Sequence, residues 1–298
     1  MLAVLISGSI RNFAELWPKN KLVLDELNIK YKIFLHTWTE NYGTTRKVYR
    51  DLNKNGFSFS IRPKVYQENK FVVDINYLRS IIPEAVITLD KFDENELQNT
   101  YNIPLKKDNP VYQNIVNSIA MHEGIARVSK MAKNDLNFNN FEHFLRLRTD
   151  FEIFPDFDNS AFLYEIFFGG PGAITTSGFI SDQFFCMDKE VFSCLEAGTV
   201  KIREFVKKNG WMLESGIPFY GERMLGYILH DLVSTKRIYT GPAVGRIRRP
   251  VIVFDENKSR IAHIKDMFLY NNKVAELKLR FYVSCLVSKL GNKSKENK

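Results

Sequence analysis

Leu2-Ala-Val-Leu-Ile6, closed by Ser7-Gly8-Ser9, is the stretch of sequence that decides the fold. Continuous apolar residues that end in small polar residues are typical of a buried parallel strand leading into a loop. Two further apolar runs of this kind lie at Tyr31 to Leu35 and at Ala85 to Leu89. Strands of this type alternating with helices predict an α/β protein with a mixed, mainly parallel sheet flanked by helices.

Proline positions and apolar spacing predict the helices. Pro18 suits the first turn of a helix that extends to about Leu27. Asn109 is predicted as the N-cap of a helix with Pro110 at its first position, extending to about Lys133. The remaining predicted elements are strands at 162–168 and 179–187 and a helix at 217–232.

Composition and charge narrow the classes of function. The 298 residues include 42 Lys and Arg against 34 Asp and Glu, a formal net charge of +8. This balance favours anionic partners, such as nucleotide phosphates, nucleic acid or an acidic membrane face. Three cysteines without a paired spacing argue against a disulfide framework or a zinc site. No apolar run approaches the roughly 18 residues of a membrane span, and we expect a cytoplasmic protein.

The C-terminal segment is basic and amphipathic. Apolar residues recur with helical spacing between Lys273 and Leu290, interspersed with Lys and Arg. Such a helix either lies in an anionic membrane interface or docks on the protein body with a solvated basic face. We therefore expect one main domain over residues 1–265 and a basic helix and tail over residues 266–298.

The charged residues that suggest chemistry lie in a predicted central strand from Phe141 to Ile153. Because side chains alternate along a strand, one face carries Arg146, Arg148, Asp150 and Glu152. This face is either an exposed edge with pairing charges or the end of a strand at a ligand crevice. In the second case both acids coordinate a divalent cation together with a diphosphate, and Arg146 or Arg148 holds phosphate or a neighbouring carboxylate bidentately.

Several segments, in order, carry a resemblance to a known family. They are Ser7-Gly-Ser-Ile-Arg-Asn-Phe13, Phe34-Leu-His-Thr-Trp38, Leu145-Arg-Leu-Arg-Thr-Asp150, Ile180-Ser-Asp-Gln-Phe-Phe185 and Glu222-Arg-Met-Leu-Gly-Tyr227. Over roughly residues 1–230 the chain resembles WavE-like enzymes of bacterial lipopolysaccharide and capsule assembly. The acidic pair at the strand end also resembles the Asp-x-Asp motif of GT-A nucleotide-sugar glycosyltransferases.

The resemblance implies a GT-A-like fold and a nucleotide-diphosphate-sugar donor. It implies transfer to a growing surface glycan, free or lipid-linked, with contact at the inner-membrane surface. A divalent cation, Mn²⁺ or Mg²⁺, is implied at Asp150. Glu152 stands where the motif has its second Asp, so the need for a metal stays open. His263 is a further candidate at the metal and diphosphate, or else a half-buried structural histidine.

On the donor side, the loop that begins at Ser7 and Gly8 is expected beneath the nucleotide. Arg11 would contact a base or diphosphate, or is a surface charge near a strand end. Asp90 would contact ribose or base, or is a turn aspartate before Lys91.

On the acceptor side, Asp182 is the candidate catalytic base or acceptor-binding carboxylate. The alternative is a strand-start aspartate that accepts hydrogen bonds from the backbone. Asp188 is a weaker competitor because it resembles a helix N-cap. Glu222 either points toward the acceptor or is a carboxylate favoured by the helix dipole.

Other functions remain in competition. A basic protein that binds nucleic acid or membrane without catalysis is consistent with the charge, and a sugar nucleotidyltransferase would use similar carboxylate and diphosphate geometry. The lack of GxxxxGK[ST] excludes a P-loop kinase, and Gly8 lacks the glycines of a dinucleotide-binding turn. We favour a cytoplasmic glycosyltransferase, peripheral to the membrane, and expect no nucleic-acid partner.

Overall fold

A computed structural model describes most of the chain. The described residues are 1–44, 46–48, 68–103, 112–169, 182–196, 198–214, 224–229, 238–240, 244–247 and 251–253. The chain divides into two compact units. The first comprises Met1–Gly43 and Glu68–Arg249, and the second comprises Thr44–Gln67 and Pro250–Lys298.

The secondary structure alternates between strands and helices along the chain. The described strands are β1 (Leu2–Ser7), β2 (Tyr31–Trp38), β3 (Glu40–Thr44), β4 (Arg46–Val48), β5 (Glu68–Val72), β6 (Val86–Asp90), β7 (His143–Arg148), β8 (Phe151–Ile153), β9 (Ile166–Phe168), β10 (Phe184–Asp188), β11 (Ile238–Thr240), β12 (Gly245–Ile247) and β13 (Val251–Val253). The described helices are α1 (Phe13–Glu26), α2 (Ile75–Ile81), α3 (Glu94–Tyr101), α4 (Tyr112–Lys133), α5 (Lys189–Glu196) and α6 (Gly198–Glu214), and residues 224–229 are also helical. Within these ranges, no helix combines the length and the apolar character needed to cross a bilayer.

The first unit is built on a seven-stranded sheet in the order β11-β9-β10-β7-β1-β2-β6. Strands β7, β1, β2 and β6 are mutually parallel neighbours. Strand β10 is antiparallel to both β7 and β9, while β11 is parallel to β9. The predicted mixed, mainly parallel sheet with flanking helices is confirmed. Smaller pairs join β8 with β12 and β3 with β5, and in the second unit β4 pairs with β13.

The apolar runs of β1 and β2 became central strands because both faces of the sheet are covered there, whereas the run at Ala85 to Leu89 became the partly buried edge strand β6. Leu2 to Ile6 are all at most 1% exposed. The even-numbered residues of β1 share an apolar cluster with Phe13 and Trp17 of α1. On the opposite face, Gly124 of α4 lies against the side chains of Ser7 and His36. Burial on both faces explains why these strands read as unbroken apolar runs.

Strand β7 lies in the middle of the sheet, between β1 and β10. Arg146 is opposite Leu5 in the register and is fully buried. The alternative of an exposed edge strand is therefore excluded. The predicted continuous strand to Ile153 is wrong, because β7 ends at Arg148 and a turn at residues 149–150 separates it from β8.

Helix α1 begins earlier than the proline predicted. Its first residue is Phe13, which places Pro18 inside the helix rather than in its first turn. Phe13, Leu16 and Trp17 are each at most 2% exposed. Burial of this apolar stripe stabilises the extra turn and offsets the backbone hydrogen bond that a proline removes.

The other predicted helices and strands agree with the structure over part of their predicted ranges. Helix α4 ends at Lys133 as predicted, while Asn109 and Pro110 lie outside the described residues. The strand predicted at 162–168 is shorter, because residues Asn159–Leu163 form a 3-10 helix and β9 begins at Ile166. Strand β10 begins at Phe184, and residues 179–181 of the strand predicted at 179–187 lie outside the described residues. Of the predicted helix at 217–232, residues 224–229 are helical and the rest, like residues 266–298, is outside the described ranges.

Candidate functional site

The candidate site lies at the edge where the parallel strands β1 and β7 end. Because β10 is antiparallel to β7, its first residues meet the same edge. The loop after β1 is held there by two hydroxyl groups. Thr37 Oγ1 donates to the carbonyl of Gly8 at 2.8 Å, and Thr149 Oγ1 donates to the carbonyl of Ser9 at 2.6 Å. The loop predicted beneath a nucleotide is thus tied to the turn that carries Asp150.

Gly8 has a specific structural role in this loop. Its φ angle is +135°, in the region that side chains rarely adopt. A Cβ atom at this position would lie 3.2 Å from Thr149 Oγ1. The close approach between loop and turn therefore depends on glycine.

Four charged side chains meet at this edge and form what we call the arginine–aspartate cluster: Arg11, Arg148, Asp150 and Asp182. Arg148 donates from Nε to Asp150 Oδ1 at 2.9 Å and from Nη2 to Asp150 Oδ2 at 3.0 Å. Its Nη1 donates to Asp182 Oδ2 at 3.1 Å. Arg11 Nη1 donates to Asp150 Oδ2 at 2.5 Å. Residues predicted for the donor and acceptor sides are thus brought into contact.

The cluster is mostly shielded from water, but its arginines are accessible at one side. The side chains of Asp150 and Asp182 are each 2% exposed, against 16% for Arg11 and 19% for Arg148. Burial by itself lowers the pKa of Arg148, but the carboxylates of Asp150 and Asp182 outweigh it and raise that pKa above its ordinary value. Arg148 therefore remains a cation.

Arg146 adds a buried positive charge behind the cluster. Its Nη2 donates to the carbonyl of Ser7 at 3.0 Å, and its Nη1 donates to the carbonyl of Leu147. Burial lowers its pKa to about 9, so the guanidinium stays protonated at neutral pH. Among the described residues of the site, three guanidinium groups thus stand against two carboxylates.

The described residues that were predicted to hold a metal, Asp150 and Glu152, have basic side chains as partners. Both oxygens of Asp150 accept hydrogen bonds from guanidinium groups. Glu152 lies beyond the turn on β8, with its carboxylate 4.0 Å from Lys19 Nζ. Within the described ranges, no group of three or more His, Cys, Asp or Glu side chains is placed to bind a metal ion. His263 lies outside those ranges, as does Glu222.

Asp90 belongs to a second polar group, at the ends of β2 and β6. Its Oδ2 lies 3.1 Å from His36 Nε2 and 2.5 Å from Arg127 Nη1. Arg127 also bonds Glu123 through Nε at 3.1 Å, and its guanidinium lies over the Trp38 ring at 4.9 Å from the centroid. Asp90, Glu123 and Arg127 line a cleft of about 570 Å³.

The titration of this second group is set by burial and pairing. Burial lowers the pKa of His36 to about 4 although Asp90 opposes the shift, so the ring is neutral at pH 7. Because a carboxylate only accepts, His36 Nε2 carries the proton that bonds Asp90. Partial burial alone would raise the pKa of Asp90, but hydrogen bonds from Arg127 and His36 lower it.

Sequence reasoning missed Arg127 and Glu123 because α4 was interpreted from its apolar spacing. The available signal was an acid and a base four residues apart in a predicted helix. Trp38 packs edge-on against His36 at 4.9 Å between ring centroids and is 8% exposed, so it is a packed aromatic side chain. Asp188 is confirmed as an N-cap, since its Oδ1 accepts from Val191 N at 2.9 Å.

Comparisons with known proteins give distant likenesses of fold. Neither a protein-family model nor a curated protein sequence matches this chain. One similar structure is the galactosyltransferase LgtC in complex with donor and acceptor sugar analogues, at 8% identity and a TM-score of 0.38, covering 81% of this chain and 73% of that one. Another is a glycosyltransferase involved in glycosylation of the major capsid of PBCV-1, at 11% identity and 0.35, covering 90% and 98%. Likenesses at this distance carry no argument about activity, and the fold class rests on the sheet topology.

Proposed function

We propose that this chain is a glycosyltransferase that moves a sugar from a nucleotide-diphosphate-sugar donor to an acceptor hydroxyl. The observation that carries the proposal is the arginine–aspartate cluster at the carboxyl edge of β1 and β7. Ligands of open α/β sheets bind at this edge. Two accessible guanidinium groups backed by a third buried one suit a diphosphate, both in the ground state and as a leaving group.

On the donor side, the loop from Ser7 to Arg11 lies beneath the nucleotide in this proposal. Arg11 and Arg148 hold the diphosphate, and Arg146 contributes its charge from within the sheet. Asp90, whose side chain is 31% exposed, meets the ribose or the base. The 16% and 19% exposure of Arg11 and Arg148 supports this role, because an anion reaches them without unfolding the edge.

On the acceptor side, Asp182 is proposed as the base. Its Oδ2 accepts from Arg148, while its buried Oδ1 accepts no hydrogen bond from any described residue. A buried carboxylate oxygen without a donor is costly, and an acceptor hydroxyl would supply the missing donor. Asp182 would then take the hydroxyl proton as the oxygen attacks the sugar. Glu222 is proposed to assist at the acceptor.

The acceptor class and location follow from the resemblance to WavE-like enzymes. We propose a growing bacterial surface glycan, such as a lipopolysaccharide, O-antigen or capsule chain, carried on a lipid. The basic segment from Lys273 to Leu290 would hold the enzyme at the cytoplasmic face of the inner membrane.

Thermal unfolding against a panel of nucleotides and nucleotide sugars tests the proposal. A ligand that binds the folded state at a hundredfold excess over its Kd stabilises it by about 2.7 kcal/mol. We expect one nucleotide family to raise the Tm, and the matching nucleotide sugar to release its nucleoside diphosphate when a glycan acceptor is added. Arg11→Gln should remove the shift, whereas the surface control Arg79→Gln should keep it.

A Tm that responds to no nucleotide or nucleotide sugar would contradict the proposal. Polynucleotide binding that weakens steeply with salt would then support the nucleic-acid alternative. Release of pyrophosphate from a sugar phosphate and a nucleoside triphosphate would instead identify a sugar nucleotidyltransferase.

A further inference from the structure

We infer that Arg11 and Arg148 bind the donor diphosphate directly, and that Asp150 is a positioning residue for these two guanidinium groups rather than a metal ligand. The inference rests on the proposed function and concerns how that function handles charge. It departs from the divalent cation that the Asp-x-Glu sequence suggests.

Both oxygens of the Asp150 carboxylate accept hydrogen bonds from arginines. Its Oδ1 accepts from Arg148, and its Oδ2 accepts from both Arg148 and Arg11. The side chain is 2% exposed, so these oxygens have little contact with solvent. A cation bound at Asp150 would lie beside the positive charges of Arg11 and Arg148 in poorly solvated surroundings. Like charges repel most strongly where water is excluded.

The guanidinium group of Arg148 is held in a fixed orientation. Asp150 and Asp182 engage one N–H on each of the three guanidinium nitrogens of Arg148. A guanidinium carries five N–H groups, so two remain to donate to an anion. Because three bonds already fix the plane of the group, little freedom is lost when phosphate oxygens bind. Asp150 thus orients the donors without touching the substrate.

The charges of the arginines and aspartates at the site also favour an anionic ligand. Within the part of the chain that the structure describes, the cluster and Arg146 together carry three guanidinium groups and two carboxylates. Arg146 is fully buried and its two terminal nitrogens bond backbone carbonyls rather than an acid. Its charge is therefore not neutralised at hydrogen-bond distance. An anion at the accessible side of Arg11 and Arg148 would complete the balance.

The chemical step balances without a metal. The acceptor oxygen forms a bond to the anomeric carbon, and its proton passes to Asp182. The bond between that carbon and the diphosphate oxygen breaks, and the electron pair stays on the diphosphate. Arg11 and Arg148 stabilise the negative charge that develops there.

The test is nucleotide affinity with and without divalent cations. UDP, GDP, CDP and ADP are titrated by calorimetry into the wild-type protein in EDTA, and again in Mg²⁺ and Mn²⁺. For the diphosphate that binds, we expect Kd values within threefold of each other in all three buffers. Binding only with a divalent cation would overturn the inference while leaving the proposed function standing. Binding of no nucleotide in any buffer would overturn both.

Three variants separate positioning from metal ligation. Arg11→Lys keeps the positive charge but loses the planar guanidinium that donates to two phosphate oxygens at once. We expect about a tenfold weaker Kd in EDTA. Asp150→Asn should weaken the Kd by a similar factor, and equally in EDTA and in Mg²⁺, because it loosens the arginines. Arg79→Gln is the control and should bind as the wild type does. An Asp150→Asn protein that loses only a metal-dependent part of the affinity would refute the inference. If Asp150→Asn does not fold, as judged by circular dichroism, Arg11→Lys and the EDTA titration decide.

Discussion

Two buried aspartates at the same edge differ in how their oxygens are used. Asp150 has both oxygens bound by arginines, whereas Asp182 is bound by Arg148 through Oδ2 alone. A carboxylate that spends both oxygens on guanidinium groups orients them, while one with a remaining acceptor can take a proton. At the scale of single residues, this difference assigns separate roles to two acids of similar burial.

Replacement of Asp182 by Asn keeps an oxygen for Arg148 but removes the base. We expect the transfer rate to fall by about 10²- to 10⁴-fold, the usual contribution of a general base. Donor affinity should stay within threefold of the wild type. Single-turnover transfer assays and donor titrations measure the two effects. An unchanged rate would remove Asp182 from catalysis, and a parallel loss of donor affinity would indicate a role in holding Arg148.

The buried His36 makes the free energy of unfolding depend on pH. Its pKa is about 4 in the folded protein against 6.5 as the ordinary value, because burial disfavours the charged ring. Below pH 6.5 the unfolded chain takes up a proton that the folded chain does not, so stability falls as the pH falls from 6.5 toward 4. Between pH 7 and 5 this amounts to about 2 kcal/mol.

Urea unfolding at pH 7 and pH 5 measures this dependence, with His36→Gln as the comparison. Glutamine retains a donor for Asp90 but does not titrate. We expect the variant to lose about 2 kcal/mol less than the wild type between the two pH values. Equal losses in both proteins would show that other groups carry the pH dependence. His143, whose pKa is also lowered by burial, shifts both proteins alike.

At the scale of elements, a local cap fixes where α5 begins, whereas packing fixes where α1 begins. Asp188 ends β10 and its carboxylate accepts the Val191 N–H in the first turn of α5, so one residue both closes a strand and caps a helix. Helix α1 shows the opposite case. Its start is set by the burial of Phe13 rather than by Pro18, since Asn12 makes no side-chain cap bond.

Asp188→Ala removes the cap of α5 and should lower the free energy of unfolding by about 1 kcal/mol. Asp188→Asn retains an acceptor oxygen and should lose only a few tenths. Chemical denaturation of the three proteins at pH 7 measures the difference. Equal loss in both variants would mean that the negative charge of Asp188, and not its cap bond, stabilises the helix start.

At the scale of the whole molecule, β7 joins the two halves of the sheet. It pairs with parallel β1 on one side and antiparallel β10 on the other. Its apolar face packs into the cluster that includes Phe13 and Phe184, and its polar face carries Arg146. Packing and site chemistry therefore depend on the same strand.

Leu147→Ala should destabilise the protein by about 2–5 kcal/mol, because Leu147 is fully buried and the cavity cannot fully collapse. Leu136, which is fully exposed, provides the control, and Leu136→Ala should change stability by at most about 0.5 kcal/mol. Denaturant unfolding measures both. Similar small effects would show that β7 is not the packed centre of the sheet.

The sequence by itself determined the strands β1, β2 and β6 and the fold class. The run at Leu2 to Ile6 is apolar throughout, and only a sheet covered on both faces buries such residues completely. The end of α4 at Lys133 and the cap at Asp188 were also predictable, because both depend on neighbours within a few residues. Local chemistry is sufficient for features of this range.

Only the tertiary structure decided which charges meet. Arg11 and Asp150 are 139 positions apart, and Asp90 and Arg127 are 37 apart, so strand order and register bring them together. The turn at residues 149–150 also removed Asp150 from the strand pattern that had paired it with Glu152. The energy of an ion pair depends on distance and burial, which a one-dimensional spacing does not contain. The contact of Asp150 with arginines, rather than with Glu152 at a shared cation, is therefore a property of the fold.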